Sequence, residues 1–97
     1  MAMFVVLGKF TTQGAKSLPE VRKIAEGNQE RAKRLGVKIH GWYLTQGQYD
    51  FLVLAEAPDA ETMLASAAGA GGTGNVHTET LRAFTLDEAE QVLKKLG

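Results

Sequence analysis

Apolar residues crowd into four short runs, and between those runs the spacing changes to a helical period. The segments 3–10 (MFVVLGKF), 37–45 (VKIHGWYLT), 49–57 (YDFLVLAEA) and 75–84 (NVHTETLRAF) are rich in β-branched and aromatic residues and bounded by turn formers, which predicts strands. Thr11-Thr12-Gln13-Gly14 closes the first strand as a turn. Leu18, Val21, Ala25, Asn28, Ala32 and Leu35 then alternate by three and four, one stripe of a helix. Ser17 and Glu20 are spaced as its capping box, Pro19 suits its first turn, and Gly36 stops it. Pro58-Asp59 starts a second helix over 60–70, with Met63, Leu64, Ala67 and Ala68 as its expected buried face. Thr85 and Glu88 form another capping box, opening a last helix expected to bury Ala89, Val92, Leu93 and Leu96.

The order β-α-β-β-α-β-α predicts one domain over 1–97: an α+β, ferredoxin-like βαββαβ sandwich with an extra C-terminal helix. The strands are apolar on both faces. Phe4 and Val6 oppose Met3, Val5 and Leu7, while Phe51, Val53 and Ala55 oppose Leu52 and Leu54. A sheet with one wet face should alternate apolar with polar. Helices cover only one face, so the pattern predicts a second copy on the other, a homodimer or higher oligomer.

Composition narrows the function classes. With 97 residues, 44% hydrophobic and 23% charged, the chain is an ordinary globular domain, small enough to gain from association. It has no Cys, which removes thiol chemistry, disulfides and thiolate zinc sites. No long apolar segment predicts a membrane span and MAMFVVLGKF lacks a basic leader region, so a cytoplasmic location is expected. Charge cancels overall but not locally: residues 16–38 carry seven bases against three acids, and 50–97 three bases against eight acids. Without an accompanying nucleic-acid motif, the basic helix reads as a solvated face, and no nucleic acid is expected as partner.

Gly69-Ala70-Gly71-Gly72-Thr73-Gly74 spells G-x-G-x-x-G, but a helix precedes it and a strand follows, the reverse of the dinucleotide-binding order. It reads as a helix-to-strand connection, and no cofactor is expected. His77 and Glu79, two apart on a strand, share a face; they would serve as an acid–base pair or as an interface pair. A metal would need His40 or Asp50 as well, and none is expected.

The segment GWYLTQGQYD (41–50) holds the only Trp and both Tyr. If Gln46-Gly47 is a two-residue turn, Tyr43 lies opposite Asp50 and Trp42 opposite Phe51. One face then carries His40, Trp42, Leu44, Tyr49, Phe51 and Val53 as core. The other carries Tyr43, Asp50, Leu52 and Leu54, placing a phenol beside a carboxylate.

These segments resemble the GYD domain family of small bacterial and archaeal proteins. The resemblance rests on FVVLGKFTTQG, GWYLTQGQYDFLVLAEAPD and GNVHTETLRAFT, with Gly47, Tyr49 and Asp50 matching the residues that name the family. It implies a ferredoxin-like fold akin to dimeric α+β barrels, and supplies no catalytic residue. The expected function is a homodimeric module that binds a small molecule or a partner, with a pocket between the 41–50 hairpin and the 75–84 strand. Its expected ligand-binding residues are Trp42, Tyr43, Tyr49, Asp50, His77 and Glu79. The alternative is a cofactor-independent enzyme, oxygenase- or isomerase-like, acting on a small aromatic or carbonyl compound. There His77 or Asp50 would be the base and Tyr43 the oxyanion donor.

Overall fold

The structure is a computed structural model and describes all 97 residues. Four strands form one antiparallel sheet: β1 (Ala2–Phe10), β2 (Lys38–Leu44), β3 (Phe51–Ala57) and β4 (Val76–Ala83), in the order β2-β3-β1-β4. Helices α2 (Val21–Arg34) and α3 (Ala60–Gly71) cover one face of it. This is the ferredoxin-like α+β sandwich that the element order predicts. The molecule is only 17 Å across its thinnest direction, two layers of structure.

The segment after β1 is helical rather than a plain turn. Helix α1 (Thr12–Lys16) forms because the Thr11 hydroxyl accepts the Gly14 N–H (3.0 Å). The same hydroxyl donates to the Gly74 carbonyl (2.7 Å), and the Thr11 N–H donates to the Asn75 carbonyl (3.0 Å), tying this corner to the start of β4. The predicted capping box at Ser17 and Glu20 does not form. Ser17 instead precedes a 3-10 turn, Leu18–Glu20, without a side-chain cap, and α2 continues from that turn. Gly36 ends α2 at φ 85°, the left-handed conformation that a C′ glycine adopts without strain.

The core lies between the helices and the even-numbered positions of β1, with Phe4, Val6, Phe51, Val53, Ala55, Ala57 and Val76 from the sheet and Ala32, Val37 and Met63 above them. Phe51 sits over Gly8; a Cβ there would stand 2.0 Å from the ring, so β1 needs glycine at that position. The α2 stripe is buried only at Ala32, half-buried at Val21, Ala25 and Asn28, and exposed at Leu18 and Leu35. In α3 the covered stripe is Met63, Ser66, Ala67 and Ala70, one helical face. Leu64 and Ala68, expected inside, point to solvent.

The largest departure is at the C-terminus. Helix α4 (Leu86–Leu93) forms with its predicted capping box: the Glu88 N–H donates to the Thr85 hydroxyl (3.1 Å) and the Thr85 N–H donates to the Glu88 carboxylate (3.0 Å). Yet it runs off the sheet edge and packs mainly on its own 3-10 tail, Lys94–Leu96. Val92, Leu93 and Leu96 are therefore exposed and Ala89 only half-buried, against the expected burial. A helix with such a stripe is built to be covered, and this chain does not cover it.

Candidate functional site

The second face of the sheet is bare, and strand register defines what it presents. Val5 lies between Leu54 on β3 and Leu81 on β4, with Gly41 beyond Leu54; Leu7 lies between Leu52 and Glu79, with Tyr43 beyond Leu52. Met3, Val5, Leu7, Leu52 and Leu54 are half-buried although no element of the chain packs over them, and Leu81 is 43% exposed. The result is an apolar centre of Val5, Leu7, Leu52, Leu54 and Leu81.

Polar groups stand at both ends of that centre. Near the Met3 end, His40 Nε2 lies 2.5 Å from the Glu56 carboxylate. His40 was expected on the core face, but β2 bulges between Ile39 and Gly41, so His40 drops out of the ladder and meets Glu56 on the open side. Near the other end, Lys9 pairs with His77 in register, and the Lys9 ammonium sits 5.7 Å from the Tyr49 ring centroid. The Tyr49 hydroxyl donates to Glu79 (2.6 Å). That hydrogen bond to Glu79, with desolvation and the carboxylate's charge, raises the phenol above its usual range.

The 41–50 segment follows its predicted faces in part. Trp42 stacks on Phe51 in the core, ring centroids 4.8 Å apart and 9° from parallel, while Tyr43 lies on the open face. The hairpin register differs by two: Leu44 lies opposite Phe51 and Tyr43 opposite Leu52. A shift of two preserves every face, so the division survives while the pairing does not. The turn is wider than two residues because the Thr45 N–H donates to the Asp50 carbonyl (2.8 Å) and the Thr45 hydroxyl to the Tyr49 carbonyl (2.6 Å), with Gly47 at φ 112°.

Three side-chain expectations are overturned around this loop. Asp50 does not meet Tyr43; its carboxylate accepts the Phe10 N–H (2.9 Å) and its own N–H donates to the Gly8 carbonyl (2.8 Å). Tyr49 is not in the core but reaches across the end of β1 to Glu79. Leu44, also expected inside, is 57% exposed. Tyr43 instead folds back over its own strand, so that a Cβ on Gly41 would stand 2.6 Å from the ring.

Of the six expected site residues, the structure gathers Tyr49, His77 and Glu79 at one end of the open face and Tyr43 near its edge. Trp42 faces the helices, and Asp50 is occupied with backbone. β2 and β4 are opposite edges of the sheet, so the 41–50 segment reaches β4 only through Tyr49. No three His, Asp or Glu side chains come together as a metal ion would need. Sequence reasoning missed Lys9 and the His40–Glu56 pair. Lys9 was legible as the next odd-numbered residue after Leu7; the bulge behind His40 left no clear signal.

The chain is thus an α+β, ferredoxin-like domain whose sheet has one bare face, apolar at its centre and polar at both ends. The family described as the GYD domain matches residues 4–93, and the chain belongs to that family. A relative in Thermus thermophilus, 36% identical over 97% of this chain and 100% of its own length, is named a glutamine synthetase and cystathionine beta-lyase binding protein. The residues that give the family its name have a shared local task here: Gly47 permits the turn, Tyr49 holds it to β4, and Asp50 holds it to β1.

Proposed function

We propose that this protein is a homodimeric interaction module that binds an enzyme; the enzyme-binding part is supported by the name of its relative, a glutamine synthetase and cystathionine beta-lyase binding protein. The carrying observation is the open sheet face. An apolar centre rimmed by polar groups is the anatomy of a protein–protein interface, and exposed patches of this kind are uncommon on monomers. A second copy supplies the matching surface: sheets pack face to face about 10 Å apart, and a two-fold axis sets the same patch against itself. Tyr43, Tyr49, His77 and Glu79 then form the rim of the interface. The uncovered stripe of α4, with Leu86, Val92, Leu93 and Leu96, lies outside the sheet and is the surface left for the enzyme.

A binding role suits the side chains better than catalysis. The Asp50 carboxylate is engaged by the Phe10 N–H, and His77 is exposed, so neither is a base poised over an enclosed substrate. Native mass spectrometry tests the assembly: the expected species is twice the 10.4 kDa of one chain, and a single-chain mass at micromolar concentration contradicts it. Capture of purified glutamine synthetase on the immobilised protein tests the partner. The wild type is expected to retain the enzyme, and Leu93→Glu to lose it while remaining dimeric; no retention by the wild type contradicts the enzyme-binding role.

A further inference from the structure

We propose that the edge strand β2 pairs antiparallel with β2 of a second copy, so that the sheet continues from one chain into the next. This contact uses the rim of the sheet rather than its open face or α4, so it stands or falls separately from the proposed function.

β2 and β4 are the two edges of the sheet, and each leaves one row of backbone groups without a strand beside it. Proteins usually blunt such edges with charge. β4 does so, with His77, Glu79 and Arg82 along its length. β2 does so only as far as His40; beyond the bulge, Gly41-Trp42-Tyr43-Leu44 is uncharged, and Tyr43 and Leu44 are more than half exposed. The Thr45 N–H donates to Asp50, on the β3 side, and backbone direction alternates along a strand. The N–H and C=O of Tyr43 therefore turn to β3, and those of Trp42 and Leu44 turn outward.

A two-fold axis through Tyr43, perpendicular to the sheet, matches these groups to themselves and keeps the helices of both copies on one side. Trp42 then lies opposite Leu44 of the second copy, and Leu44 opposite its Trp42. Each pair exchanges two backbone hydrogen bonds. Side chains match as well. By register Leu44 shares the helix side with Phe51, and beside it runs a groove of about 510 Å³ between α2 and β2, with Val21, Ala25 and Trp42 among its walls. Leu44 of the second copy, set beside Trp42, enters that groove, and the exchange is mutual.

Charge names the occupant. Arg22 and Glu26 stand on the α2 wall of the groove, one turn apart and both exposed. The axis runs α2 of the two copies antiparallel, which sets Arg22 of each against Glu26 of the other. A second copy thus carries both the matching edge and the matching charges. With a short ladder and one leucine from each chain, the contact belongs at the weak end of specific interfaces, so it forms at higher concentration than the open-face dimer.

Leu54→Glu, which removes pairing through the open face, isolates this contact; Leu81→Glu, on the same face and 43% exposed, is a second such background. In sedimentation velocity from about 10 to about 500 µM, these variants should pass from one chain to two. Adding Leu44→Lys, a charge on the bare edge, should leave single chains throughout. Adding Arg22→Glu should weaken pairing about 10-fold, and Arg22→Glu with Glu26→Arg should restore it. The chain has no Cys, so a single introduced thiol reports the axis. Tyr43→Cys in the same backgrounds should oxidise to a disulfide-linked pair, since facing Cβ atoms there lie about 4.5 Å apart, whereas Glu61→Cys on α3 should not. The proposal is overturned if both backgrounds stay single at the highest concentration, if Leu44→Lys pairs as well as its parent, or if the charge exchange fails to restore pairing.

Discussion

The two faces of one sheet are built from adjacent residues of the same strands, yet they have different fates. On β1, Phe4 and Val6 are buried under helices, while Met3, Val5 and Leu7 beside them are not. Composition does not separate the faces, since each is apolar at its centre. What separates them is cover. The helix-covered face is complete within one chain: Phe51 is 2% exposed, and its ring fills the space that Gly8 leaves. The open face has similar hydrocarbon and no lid, so its contribution to stability, about 25 cal/mol for each Å² removed from water, waits on a partner.

Substitution separates the two most sharply at their centres. Phe51→Ala should cost about 3–5 kcal/mol of folding stability in urea denaturation, as expected for an aromatic core residue. Leu54→Glu on the open face should leave the isolated subunit folded. It should weaken dimerisation by about 100-fold or more, the effect of an unpaired charge in an apolar interface, read by sedimentation velocity. Comparable loss of fold from both variants would erase the distinction.

Two glycines sharpen it at smaller cost. Gly8→Ala forces a methyl into the Phe51 ring and should cost about 1–3 kcal/mol, because the ring is held by Trp42 and Phe10. Gly41→Ala meets only the Tyr43 ring, which is 53% exposed and free to swing aside. Its effect on folding should stay within about 0.5 kcal/mol, the range of surface substitutions.

The smallest effects are protonic. Asp59 is held below its usual range by hydrogen bonds from Thr62, first through its side chain and then its N–H, and Glu88 chiefly by the Thr85 N–H. A carboxyl whose folded pKa is depressed stabilises the fold above its unfolded value and loses that contribution as pH falls through the folded one. Acidification below the ordinary carboxylate range should thus fray the N-termini of α3 and α4, with α4, which has little packing to retain it, fraying first in amide hydrogen exchange. Tyr49 has the opposite sign: its raised phenol favours the fold below its unfolded value of 10.0 and loses that contribution as pH rises through the folded one. Ultraviolet titration should therefore find the Tyr49 phenol ionising above 10.0.

The sheet was legible in the sequence because its code is local. The period-two pattern placed Trp42, Phe51 and Val53 on one side and Tyr43, Leu52 and Leu54 on the other, even though the hairpin register was off by two. The bare face was legible for the same reason. What could not be read were contacts made across the fold. Asp50 reads as a free acid until β1 brings the Phe10 N–H to it, and Tyr49 reads as core until the widened loop carries it to Glu79. The amphipathic stripe of α4 was read as evidence of burial, but a stripe shows only that cover is wanted, not which chain provides it.

That question is decided most directly by methyl contacts between chains. In a sample mixing isotope-labelled and unlabelled protein, filtered nuclear Overhauser measurements should connect methyls of Leu7, Leu52, Leu54 and Leu81 on one chain with the same set on its partner. Inter-chain contacts confined to α4, or none at all, would contradict the assignment of the open sheet face to a second copy.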